Sequence, residues 1–123
     1  MKDFNELFVK VSFALRNATE EIVQVVLDES KRVYLEKKKS GVTTGLLLAS
    51  FNKEPVKSNG VLSYSGVVYA GGPSAPYAVY VDSVGWKLKE GGHRDAYNFM
   101  QAGADKGSEM AQIIVNKHLK LMR

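Results

Sequence analysis

His93 and Asp95 form a His-x-Asp pairing, and an imidazole beside a carboxylate is an arrangement used in general acid–base catalysis. Nothing around it completes a catalytic set. The other histidine, His118, is distant in sequence, and neither histidine has acids at ligand-like spacing. Asp28 and Glu29 are adjacent on a helical stretch, so they cannot face one another. Gly71-Gly72-Pro73 lacks the lysine and the spacing of a phosphate-binding loop. No nucleophile elbow, zinc signature or dinucleotide fingerprint occurs. There is no cysteine, which excludes disulfides and thiolate metal sites. The plainer reading of His93 and Asp95 is a solvated loop. The chain is expected to be no enzyme and to carry no cofactor or metal.

Basic residues gather in two places. Lys37, Lys38 and Lys39, with Lys31 and Arg32, give a basic helix end. Lys87 and Lys89 sit in a glycine-bearing segment with His93 and Arg94. These lysines are candidate contacts for DNA or an acidic neighbour. A solvated helix terminus is the plainer reading, because lysines complement the carbonyl end of the helix dipole. The net charge of +4 permits a nucleic-acid partner without arguing for one. Trp86, the single tryptophan, lies among glycines and basic residues. It is a candidate interface anchor, or it folds back on its own core.

The elements that must position these residues fit one domain of 123 residues with ordinary apolar content, 45%. Phe4 to Tyr34 contains no glycine or proline and reads as a long helix, with Asp3 as cap and Glu6 placed for the return contact. Phe4, Leu7, Phe8, Val11, Leu15, Ala18, Ile22, Val25, Val26 and Val33 fall at helical spacing. Thirty residues extend about 45 Å, more than a core this small covers. Part of the stripe, with Leu15 and Ile22, is therefore expected to meet another subunit. A kinked helix packed within one chain is the alternative. Gly41 suits the closing position of that helix.

Thr43 and Thr44 start a short helical segment carrying Leu46 to Leu48 and Phe51. Val61 to Ala70 alternates as a half-buried strand, with a partner expected within Phe51 to Val56 through an Asn59-Gly60 turn. Tyr77 to Val81 fits a strand by alternation or a short helix behind Pro76, with a slight lean to helix. Its two tyrosines, Tyr77 and Tyr80, with Asp82, make a packing and docking element. Ser83 to Arg94 has the composition of a mobile loop. A last helix runs from about Asp95 to Leu121, where Gly103 and Gly107 sit one turn apart. A close approach to the first helix would offset the glycine cost, and a kink is the competing account. The expected fold is α+β: a long N-terminal helix and a C-terminal helix packed against a small antiparallel β-sheet.

The order of these segments carries a resemblance. Thr44, Gly45, Leu47 and Ser50 fit a Thr-Gly-x-Leu-x-x-Ser segment; Tyr77, Ala78, Val81 and Asp82 fit a Tyr-Ala-x-x-Val-acid segment. Phe99 and Met100 keep the apolar pair of a third segment before the last helix, where Asn98 and Gln101-Ala102 replace its prolines and alanine. From Thr44 onward the chain resembles the tail-component or neck proteins of tailed bacteriophages. The resemblance implies a virion structural subunit, a homo-oligomeric ring of sixfold or twelvefold order. Such a ring joins the portal side of the capsid to the tail, or terminates the tail, around a double-stranded DNA channel. It implies other neck, portal-adaptor and tail proteins as partners. Lys37, Lys38, Lys39, Lys87 and Lys89 would then be candidates for the channel, and Trp86, Tyr77, Tyr80, Asp82, Leu15 and Ile22 for the subunit interface. A small basic nucleic-acid-binding or toxin-like module is the alternative. No apolar run approaches the ~20 residues of a spanning helix, and the start lacks a signal-peptide pattern. Assembly in a bacterial host cytoplasm, without a membrane, is the expectation.

Overall fold

The computed structural model describes residues 2–37, 45–71, 78, 82, 86–87, 93–94 and 96–122. Helix α1 spans Lys2–Lys37. No glycine or proline interrupts it, and exposed pairs one turn apart support its surface: Arg16 with Glu20, and Arg32 with Glu29 and Glu36. The 36 residues form one uninterrupted helix, about 54 Å long. Asp3 therefore lies inside the helix and not at its cap.

Helix α2 (Gly45–Ser50) follows. Next come four short strands, β1 (Asn52–Lys53), β2 (Lys57–Gly60), β3 (Ser63–Ser65) and β4 (Val68–Tyr69). They form one long antiparallel hairpin in two ladders. Asn52 pairs with Tyr69 and Lys53 with Val68, while Lys57, Ser58 and Gly60 pair with Ser65, Tyr64 and Ser63. The expected partner of Val68–Tyr69 is thus where the alternation pointed. The turn is not at Asn59-Gly60. A register shift between Ser58 and Gly60 keeps the strand running, and the chain reverses at Val61-Leu62 with Leu62 at φ 53°. A third antiparallel ladder, β5 (Trp86–Lys87) with β6 (His93–Arg94), lies inside the segment expected to be a loop. Each of these ladders has two strands among the described residues. Ala78 has helical backbone; the remainder of Tyr77 to Val81 lies outside the described residues, as does Gly41.

Helix α3 (Phe99–Leu121) starts later than Asp95. It packs on α1 through its small residues. A Cβ on Gly103 would stand 2.6 Å from the Val26 carbonyl oxygen, and one on Gly107 would stand 2.5 Å from a Val26 methyl and 3.7 Å from Ile22. The glycines let the helices approach closely, as expected, and α3 carries them without a break. Gly103 sits against Ser30, whose buried hydroxyl donates to the Val26 carbonyl at 2.8 Å. Further along, Lys117 and His118 reach Glu21, so the helices run antiparallel.

The core lies where α1, α2 and the start of α3 meet. Tyr34, Leu47 and Phe99 are fully buried, with Leu27, Phe51 and Tyr97 around them. The rings of Tyr34 and Phe99 meet edge to face at 5.7 Å, and those of Phe51 and Phe99 at 5.0 Å. The architecture is the expected α+β arrangement, mostly helical, with the β structure as small separate ladders.

Candidate functional site

The candidate interface residues divide sharply. Leu15 and Ile22 are half-buried on α1, and Ile22 is spent largely on the α3 seam beside Gly107. Asp82 serves the fold: Asn98 N–H donates to its carbonyl at 2.8 Å, and Met100 N–H donates to its carboxylate at 3.1 Å. Asn98 itself, at φ 54°, offers no side-chain cap to α3, so Asp82 takes that part across the chain. Trp86 and Lys87 are placed by backbone in the β5–β6 ladder. Tyr77, Tyr80, Lys38, Lys39 and Lys89 lie outside the described residues, as does Asp95.

Lys37 is exposed, and its ammonium donates to the Tyr97 carbonyl at 3.1 Å, which ties the end of α1 to the approach to α3. Among the described residues, His118 shares Glu21 with Lys117. Its Nε2 lies 3.0 Å from Glu21, and Lys117 donates to the same carboxylate at 2.7 Å. Hydrogen bonds from Lys117 first and His118 second hold the Glu21 carboxyl below its ordinary range. This is a clamp between α1 and α3. Among the described residues no cluster of three or more histidines and acids could hold a metal, and no helix is long and apolar enough to cross a membrane.

Further exposed apolar features lie at the start of α1 and on the hairpin beside it. The opening turns of α1 carry Leu7, Phe8, Val9 and Phe13 in the open; Val9 is 50% and Phe13 61% exposed. The side chains leave this helix in several directions, so no single packed face accounts for them. The hairpin lies alongside. Its Tyr64 hydroxyl meets the Ser12 hydroxyl, and its Lys53 ammonium donates to Gln24 at 2.7 Å. A shallow groove results between Phe8, Val9, Ser12, Phe13, Arg16 and Tyr64. The hairpin tip presents Val61, 79% exposed, and Leu62. A left-handed backbone is costly for leucine, by about 1–2 kcal/mol, where glycine or asparagine is usual.

The periodicity of α1 held part of this signal: its apolar pattern continues to the N-terminus, well past the span that a short α3 can cover. The hairpin tip gave no such warning, because Asn59-Gly60 is the stronger turn signal. The arrangement offers surfaces for protein contact and brings no reacting groups together among the described residues. No protein-family model, curated protein or solved structure matches this chain.

Proposed function

We propose that this protein is a structural subunit of a tailed-bacteriophage neck, as a head–tail connector or tail-terminator ring. It would be assembled in the bacterial cytoplasm and retained in the virion. The ordered segments from Thr44 onward support this reading, and their residues frame the fold. Leu47 is fully buried, Ser50 Oγ accepts from Gly71 N–H at 2.7 Å, and Asp82 caps α3 at Met100.

The observation that carries the reading is the hairpin tip. Two apolar residues, Val61 and Leu62, stand at the turn, one of them in a strained backbone region. Strain held at a surface position is a mark of a functional contact. A ring of head-to-tail contacts needs two different complementary patches per subunit. The tip supplies one, and the Leu7–Phe8 end of α1 supplies the other. Trp86 adds a further anchor. The basic residues would face DNA in the channel without reading its sequence.

The test is the mass of the purified protein, alone and bound to particles. Rings of six or twelve copies are expected once the protein is bound to particles, and Leu62→Asp should prevent joining while leaving the melting temperature near that of the native protein. A monomer that binds DNA with steep salt dependence would favour a small basic nucleic-acid-binding module instead. Turnover by the purified protein, abolished by His93→Ala, would overturn the structural role.

A further inference from the structure

We infer that two copies of this chain pair antiparallel through the opening half of α1, in a single register. Glu6, Val9, Phe13 and Arg16 succeed one another at spacings of three, four and three residues. That is the heptad spacing, which lays side chains along one seam of a helix. In chain order the seam runs acidic, apolar, apolar, basic. Reversed, it runs basic, apolar, apolar, acidic. The stripe is therefore its own complement.

An antiparallel copy that sets Val9 opposite Phe13 also sets Glu6 opposite Arg16. The twofold axis repeats each match. A parallel copy would place Glu6 on Glu6 and Arg16 on Arg16, and like charges held together are costly. Charge thus selects the direction, and the apolar centre supplies the attraction.

The structure leaves this seam open. Val9 and Phe13 are half exposed or more. Glu6 is exposed, and the side chains of Arg16 and Glu20 are 55% and 52% exposed. Arg16 has a loose contact with Glu20 within its own helix, at 3.8 Å. That geometry leaves its guanidinium donors available to a facing carboxylate. The chain's own elements lie to the sides: α3 packs on the Ile22–Val26 flank, and the hairpin reaches α1 at Ser12 and Gln24, with Tyr64 bordering the open groove that Val9, Phe13 and Arg16 line. The charges flanking the apolar pair match this chain itself, so the occupant is a second copy. The contact is isologous and closes on two subunits. It does not rest on the ring reading.

Sedimentation equilibrium of the purified protein should show a mass rising from one chain to two as concentration increases. Arg16→Glu and Glu6→Arg should each weaken the pair by about tenfold or more, and the double variant should recover most of the loss. These side chains are exposed, so circular dichroism and melting should stay native. The absence of cysteine allows a second reading of direction. Val9→Cys and Phe13→Cys proteins, mixed and oxidised, should link preferentially to each other. A mass that stays at one chain or grows past two without pausing, a double variant as weak as the singles, or disulfides only between identical variants would each overturn the pairing. Those results would leave the ring reading to its own test at the hairpin tip.

Discussion

Asp82 stands far from α3 in sequence, yet its carboxylate accepts from the Met100 N–H at that helix's first turn. Replacing it with alanine should cost about 1 kcal/mol, the usual loss for a missing cap, read as a lower denaturant midpoint. Asp82→Asn, which keeps an acceptor oxygen, should retain most of that stability. The glycines of α3 make a second comparison. A methyl at Gly103 meets the backbone carbonyl of Val26, which cannot turn aside, whereas one at Gly107 meets a Val26 methyl. Gly103→Ala should therefore destabilise by about 1–3 kcal/mol. Gly107→Ala should lose less, because the gain in helix propensity, up to about 1 kcal/mol, offsets a softer clash. Chemical denaturation of the two variants checks the order; equal losses would mean that the seam relaxes at both sites.

At the scale of elements, the helices were legible because their signals are local. An uninterrupted run without glycine or proline foretold α1, and the Gly103–Gly107 spacing foretold the close seam. The hairpin was legible in its pairing, since Val68 and Ala70 alternate inward, but not in its turn. There a bulge at Ser58–Gly60 overrode the Asn59-Gly60 signal. The start of α3 was set too early for a related reason: its cap comes from Asp82, and no local pattern announces a cap supplied from another segment. The candidate site was least legible. Val9 and Phe13 belong to a heptad seam that diverges from the core stripe, and only the shorter reach of α3 separates the two. Between the elements, the Glu21 clamp predicts a pH effect. Its folded pKa lies below the unfolded value, so its stabilisation is full above the ordinary carboxylate pKa, about 4.3. It fades as pH falls through the lower folded value. The pair is partly exposed and worth about 0.5 kcal/mol. Glu21→Gln should melt slightly lower than the native protein at pH 7, and the gap should close in acid; a gap independent of pH would remove the carboxylate's charge from the clamp.

For the whole molecule, the antiparallel seam has a consequence in time as well as in space. Glu21 and its partner Lys117 are 96 residues apart in the chain, and at roughly 5–20 residues per second a ribosome needs about 5–20 s to make that interval. Throughout it α1 exists without the helix that shields its inner flank, and a long amphipathic helix with phenylalanines on several sides is a natural substrate for holding chaperones. A nascent chain stalled before Phe99 should therefore be captured by chaperones and cut readily by protease, whereas release of the full chain should protect α1 from Ala14 onward. Synthesis order thus exposes the N-terminal helix to other copies, on the same polysome, before its own C-terminal partner has been made.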